Sequence, residues 1–374
     1  MPRPQVFSIP ERLDAVPKFA GRGVCMGIID VGFYPHPDLM FPRRRIRAYA
    51  DAARDVPVAY DFFSPQPFSW HGTMTACCAA GNGYLSGGRY RALAYEADVV
   101  LIKAGLDGRV IGKNVAHAIR FPLRFPHLNI RILNVSLQTR PDDPDMEDVE
   151  AAVREVTQQG IAVFAAAGNT AGILPNPPAS APEAITVGGQ KLAAPGDSGD
   201  EQLWPSSYGS RKPGIQKPDL LAPAIWVPAP MLPGTLVARE AAPLFQLLSV
   251  LEEASAEHSF SETRQTATPE ERASVAALID AVGTRITRSK YISPDYQHVD
   301  GTSFAAPIVA SVAAQMLEAC PTLTPELLRE GLMSTASPLS GVPREVQGAG
   351  LLRPRRAVEW ALSRVEQDGP RSGR

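Results

Sequence analysis

The sequence has no long apolar run. No uninterrupted stretch approaches the ~18 residues of a membrane span, and the start, "MPRPQVFSIPERLDAVPKFAGRG", lacks the continuous apolar core of a secretory signal. No membrane contact and a cytoplasmic location are the expectations. An excess of charge of one sign is equally missing, because a net charge of −2 exerts no long-range pull on nucleic acid or an anionic surface. Nucleic acid is therefore not an expected partner, and a protein or peptide is. Cysteine is scarce: Cys25, Cys77, Cys78 and Cys320 form no CxxC and have no His-rich companion motif, so neither a zinc site nor a disulfide framework is signalled. They read as reduced thiols, with Cys77 and Cys78 as small buried side chains on a packed helix.

What the chain has in abundance is proline. The 36 prolines among 374 residues are about twice the ordinary ~5% usage and follow no repeat, which predicts many ordered loops. Apolar runs of strand length occur at 24–30, 97–105, 130–137, 161–168 and 184–189, and read as buried parallel strands. Between them, "GKNVAHAIRFPLRF" (112–125) and "DMEDVEAAVREVTQQG" (145–160) read as helices; the second opens with acids and closes on glycine, as a helix dipole and C-cap favour. The basic string "RRRIR" (43–47) reads as a solvated loop. Strands alternating with helices predict an α/β fold with a mostly parallel, doubly wound sheet and helices on both faces, in which sites gather at the carboxyl ends of strands.

Those ends carry chemistry. The first run stops at Asp30, "AVFAAAGN" stops at Asn169, and "SWHGTMTACCAAGNG" sets His71 at the head of a small-residue helix. In "HVDGTSFAAPIVASVAAQ" (298–315) a glycine turn feeds a buried helix whose first turn holds Ser303. Backbone amides there are unpaired and the dipole is positive, so a developing oxyanion is stabilised while the hydroxyl stays accessible. Taken singly, each residue has a structural use: Ser303 as a helix cap, Asp30 as a strand end, Asn169 as a turn residue, and His71 as one of six histidines. Together they supply the nucleophile, base, orienting carboxylate and amide donor of acyl transfer.

The segments 21–39 ("GRGVCMGIIDVGFYPHPDL"), 71–83 ("HGTMTACCAAGNG"), 134–138 ("NVSLQ"), 165–169 ("AAAGN"), 217–223 ("KPDLLAP") and 301–310 ("GTSFAAPIVA") resemble the subtilisin-like serine peptidases, the subtilases. The order Asp, His, Ser is that family's, and the resemblance runs over roughly residues 20 to 365, closing with helix-like segments at 321–336 and 348–362. It implies that Ser303 attacks, His71 moves the proton, Asp30 orients His71, and Asn169 with the Ser303 N–H forms the oxyanion hole. A peptide would add as a strand between Ser136, Leu137, Gln138 and Ala165, Ala166, Ala167. No cofactor is required for this chemistry and no metal ligand is assigned; structural calcium is left open. His36, in "HPDL", resembles a loop position with no proton-transfer duty, and His298 reads as local structure near the nucleophile.

Two departures from the family pattern stand out. Val31 follows Asp30 where the family usually has Ser or Thr, removing one hydroxyl from the carboxylate, and Gln138 stands where many members have glycine, so that its side chain could narrow or polarise a subsite. The expected activity is endopeptidase through an acyl-enzyme. The same triad could instead pass the acyl group to an amine, as a peptide ligase or macrocyclase, and the rival of another class is a catalytically weak peptide-binding scaffold.

The domain expectation is a single peptidase domain over 21–365, after an extension of residues 1–20 and before a tail of residues 366–374. The extension is shorter than the ~40 residues an independent domain needs. A helical insertion at 231–290 interrupts the domain, with helical patterns at 235–259 and 268–286, the latter opened by Thr-Pro-Glu-Glu. Such a hairpin could lie beside the cleft and restrict substrates, receive a regulatory partner, or be a distal embellishment.

Overall fold

In the computed structural model, residues 6–52, 60–191, 203–210, 212–260 and 268–368 are described. The strands are β1 (Cys25–Asp30), β2 (Ile46–Asp51), β3 (Asp98–Lys103), β4 (Ile130–Val135), β5 (Ala162–Ala166), β6 (Ile185–Gln190), β7 (Leu220–Pro223), β8 (Val227–Pro230) and β9 (Tyr296–Val299). The helices are α1 (Ile9–Arg12), α2 (Pro37–Met40), α3 (Ser69–Ala80), α4 (Gly112–Arg124), α5 (Met146–Gln158), α6 (Leu236–Phe260), α7 (Pro269–Arg288), α8 (Thr302–Ala319), α9 (Pro325–Thr335), α10 (Arg344–Gln347) and α11 (Pro354–Asp368).

Strand periodicity divides the core into two layers. Met26 and Ile28 of β1, with Val99 and Leu101 of β3, enter one apolar layer, whereas Cys25, Ile29, Val100 and Ile102 enter the other. Because both faces are covered, these strands read as continuous apolar runs rather than as alternation. The first layer is completed by α3, α8, α9 and α11, through side chains such as Met74, Ile308, Leu332 and Ala361. The second is completed by Val115 and Ile119 of α4 and Val149 and Val153 of α5. Strands β1 to β7 form one parallel sheet in the order β2-β3-β1-β4-β5-β6-β7. Helix α8 is buried almost all round, and its alanines at 305, 306, 310, 313 and 314 let it lie close over the sheet.

Four strands escaped the apolar-run reading. Residues 43–47 are not a solvated loop: Ile46 opens β2, and Arg45 is buried, its guanidinium donating to the carbonyls of Asp38, Ala80 and Ala97. Arg43 and Arg47 both pair with Asp98 instead of projecting freely. Strand β7 is four residues long, and β8 and β9 form a separate antiparallel pair. The first residues also belong to the main body, since Ile9 and Leu13 enter the first core layer and Arg12 donates to the carbonyls of Ile225 and Trp226. Most of the expected tail, residues 369–374, lies outside the described residues.

Between β8 and β9 the chain forms α6 and α7, which share a small core of Met231, Ala241, Leu248, Val282, Ile286 and Tyr291. A capping box of Thr268 and Glu271 opens α7. Glu240 ties the two limbs, accepting from Tyr291 Oη at 2.7 Å and Arg285 Nε at 2.6 Å. Residues 261–267, which join the helices, lie outside the described residues. The outer faces are solvated, with Val250 57% and Leu278 52% exposed.

Candidate active site

Asp30 has the same parity as Met26 and Ile28, so it leaves the end of β1 on the face that carries α3 and α8. His71 is the third residue of α3. That helix approaches β1 closely: a Cβ on Gly72 would lie 2.2 Å from Gly32 O and 2.8 Å from Asp30 Cβ, so glycine after His71 is a packing requirement. The approach puts His71 Nδ1 at 2.9 Å from each Asp30 oxygen. The buried carboxylate also accepts from Val31 N at 2.8 Å and Thr75 Oγ1 at 3.1 Å. Thr75, one helical turn beyond His71, thus supplies the hydroxyl that Val31 lacks. The side chain of His71 is 19% exposed. Burial opposes its charge, but the Asp30 charge and hydrogen bond outweigh burial and hold it above the ordinary histidine value.

Ser303 is the second residue of α8, half-buried between buried Thr302 and Phe304. Gly301 makes the turn that precedes it, at φ 127°, a conformation other residues rarely adopt, and its N–H bonds Ala224 O at 2.7 Å. Phe304 packs against His71, ring centroids 5.6 Å apart, so the turn that carries Ser303 faces the histidine. The Ser303 hydroxyl points at Ser136 O, 3.5 Å away, while Ser136 Oγ donates to Ser303 O at 2.8 Å. The Ser303 N–H lies in the first turn, whose amides have no intrahelical acceptor.

Asn169 follows β5 across Gly168. Its Oδ1 accepts from Thr302 N at 2.9 Å, Thr302 Oγ1 at 3.1 Å and Trp204 Nε1 at 2.7 Å. Three donors on one atom fix the amide orientation, because the flipped amide would set N–H against N–H, and they leave Nδ2 turned away from Thr302 and Trp204. Thr302 and Trp204 are thus part of the site although the sequence reading passed over them. Thr302 was adjacent to Ser303, and Thr75 stood at the i+4 spacing that brings residues of one helix together, whereas no local pattern links Trp204 to Asn169.

The proposed peptide-binding residues divide. Ser136, Leu137, Gln138 and Ala166 meet where β4 and β5 part, beyond the last ladder pair Val135↔Ala165. Ala165 is not at the opening: it lies inside the sheet, paired with both Val135 and Thr186, and is fully buried. The N–H of Ala167 is spent on Val187 O.

The remaining histidines near the site serve the structure. His36 caps α2, its Nδ1 accepting from Asp38 N at 3.2 Å, and burial pushes its pKa down to about 4. His298 is lowered to about 4, mainly by burial, and its Nδ1 meets Trp226 O at 2.8 Å. Among the described residues, one buried group offers donors that could surround a metal: His36, Asp38 and Cys77, with ligand atoms within 4.8 Å of one another. His36 Nδ1 and Asp38 are otherwise engaged, whereas His36 Nε2 has no hydrogen-bond partner among the described residues. Asp38 accepts from Tyr296 Oη at 2.7 Å and Leu85 N at 3.3 Å, and burial raises the Cys77 thiol well above its ordinary value. Cys78 is pushed up to about 12 by the same cause, so neither thiol is a ready nucleophile.

A parallel seven-stranded sheet with this Asp–His pair at a strand end and a serine at a central helix start defines a subtilisin-like α/β protein. The chain belongs to the subtilase family, whose sequence pattern matches residues 21–353. It is 26% identical over 356 residues to the serine protease AprX of Bacillus subtilis (strain 168), an alignment covering 90% of this chain and 66% of AprX. Solved structures with the same fold include proteases from Pseudoalteromonas arctica PAMC 21717, at 19% identity and TM-score 0.62, covering 95% of this chain and 94% of that one. Fervidolysin from Fervidobacterium pennivorans, a keratinolytic enzyme related to subtilisin, aligns at 18% identity and TM-score 0.63 over 93% of this chain and 45% of that one. Among the described residues no helix is long and apolar enough to cross a membrane.

Proposed function

We propose that the chain is a serine endopeptidase acting on protein or peptide substrates through an acyl-enzyme. One observation carries the reading: His71 Nδ1 is held by both oxygens of Asp30 at 2.9 Å, which reserves the lone pair of Nε2 for a proton from Ser303. In the reaction, Ser303 Oγ turns from the Ser136 carbonyl to His71, gives up its proton to Nε2 and bonds the scissile carbonyl carbon. The oxyanion faces Asn169 Nδ2 and the Ser303 N–H; His71 then passes the proton to the leaving amine. Water, activated by the same Nε2, hydrolyses the acyl-enzyme. Ser303 and His71 are not hydrogen-bonded in the free chain, which is ordinary, since such bonds form or tighten when substrate binds. Family membership and the similarity to AprX support the class of activity. Hydrogen bonding of Asp30 by Thr75 supports this reading against an inactive scaffold where Val31 is concerned.

The hairpin α6–α7 enters the same reading as a gate or a docking place for a regulatory partner. Its return limb ends at Lys290, which pairs with Asp300, three residues before the proposed nucleophile. A cytoplasmic location suits the four free, buried cysteines. A fluorophosphonate probe, located by peptide mass spectrometry, tests the assignment. Labelling is expected at Ser303 and is lost in Ser303→Ala and His71→Ala; labelling that persists in Ser303→Ala sinks it.

A further inference from the structure

The opening beside the proposed nucleophile is bridged by a side chain. Beyond Val135↔Ala165 the strands β4 and β5 diverge, Ser136 leading to Gln138 on one bank and Ala166 to Gly168 on the other. A peptide acylating Ser303 must enter between these banks, because Ser136 O lies 3.5 Å from Ser303 Oγ on one side, and Asn169 follows Gly168 on the other. Gln138 spans the gap. Its Nε2 donates to Ala166 O at 2.8 Å, and its Oε1 reaches Gly168, where a Cβ would lie only 3.0 Å from it. The main chain behind Gln138 cannot retreat freely, since buried Thr139 is tied to Pro177 O through its N–H at 2.9 Å.

We infer that Gln138 is the specificity-determining residue of this peptidase, its side chain closing the space for the residue on the acyl side of the scissile bond and selecting small side chains, glycine, alanine or serine, there. This rests on the proposed peptidase function. A large aromatic or branched side chain at that position must displace the amide, which breaks the bond to Ala166 O and leaves that carbonyl facing apolar atoms. A small side chain leaves the bridge in place. One polar group stranded against an apolar partner is enough for discrimination on the order of tenfold or more.

The test is a set of chromogenic peptide amides that differ only in the acyl-side residue, Ala, Leu or Phe, turned over by the wild type, Gln138→Gly and Gln138→Ala. The wild type is expected to favour Ala over Phe in kcat/KM by about tenfold or more, and both substitutions to raise the Phe-to-Ala ratio by about tenfold. Two variants are used so that a folding failure in one leaves the other to read. A wild type that favours Phe or Leu, or a ratio unchanged in a folded variant, overturns the inference. Fluorophosphonate labelling of Ser303 separates the layers: labelling and turnover with an unchanged ratio reject the role of Gln138 alone, while neither labelling nor turnover rejects the peptidase reading with it.

Discussion

At the scale of single residues, the state of His71 is set by two opposed effects. Burial disfavours the imidazolium and the Asp30 carboxylate favours it, with Asp30 prevailing. In the proposed mechanism the neutral ring is the base, so kcat/KM should climb with pH through an apparent pKa above the ordinary ~6.5 and level off beyond it. A pH–rate profile on one peptide, with folding checked throughout, reads this directly; a flat profile from about pH 5 to 8 would speak against a titrating histidine. Asp30→Asn leaves burial unopposed, so the acid limb should move to lower pH while kcat falls, by about 10⁴ if the loss matches the corresponding change in trypsin-like enzymes. Trp204 is expected to act at one remove, since its indole N–H holds the Asn169 amide. Losing Asn169 should cost about 10²–10³ in kcat, the magnitude measured for subtilisin itself. Trp204→Phe removes one orienting hydrogen bond of three, for a loss of about 2- to 10-fold that appears in kcat and spares KM. An equal loss in Asn169→Ala and in Asn169→Ala/Trp204→Phe would show that the indole works through the asparagine.

At the scale of elements, the α6–α7 hairpin has its own core, which takes in Met231 and Tyr291 at its roots and is separate from the two layers of the main body. Replacing residues 235–286 with a short Gly/Ser linker should therefore leave small-peptide hydrolysis more intact than discrimination among folded proteins. If the shortened, folded enzyme cleaves the same set of proteins as the intact one, the hairpin is not a gate. Both limbs were readable in the sequence because their helical periodicity and the Thr268 start signal are local. The central strands were equally legible, being apolar on both faces. Strand β2 was not, because it begins among arginines and lies at the sheet edge, where buried Arg45 is satisfied by three carbonyls, those of Ala80 and Ala97 from distant segments. The site follows the same rule. Asp30, His71, Asn169 and Ser303 sit in recognisable strand-end and helix-start motifs, whereas the Trp204–Asn169 bond and the Gln138 bridge arise from pairings across the fold. Ala165, paired on both sides and buried, shows that which end of a strand meets the opening is set by ladder register and not by the local sequence.

At the scale of the whole molecule, acid sensitivity extends beyond the proposed site. His36 is fully buried and neutral, its pKa lowered from 6.5 to about 4 by burial. The unfolded chain takes up a proton there first, so this contribution to stability is complete above pH ~6.5 and is lost as pH falls toward 4. That displacement is worth roughly 3 kcal/mol. Asp38 and Asp295, both raised mainly by burial, act in the opposite sense, so the quantity to read is the difference between wild type and His36→Asn, which keeps a capping acceptor but cannot titrate. Urea unfolding at pH 5 and 7 should show a smaller loss on acidification in the variant; equal losses would remove His36 from the account. The central claim is that Asp30, His71 and Ser303 operate as a unit in peptide-bond cleavage. Its most direct test is kcat on one peptide for the wild type, His71→Ala, Ser303→Ala and the double variant. Either single change should cost about as much as both together, a loss of about 10⁶ in the subtilisin precedent; losses that multiply would contradict it.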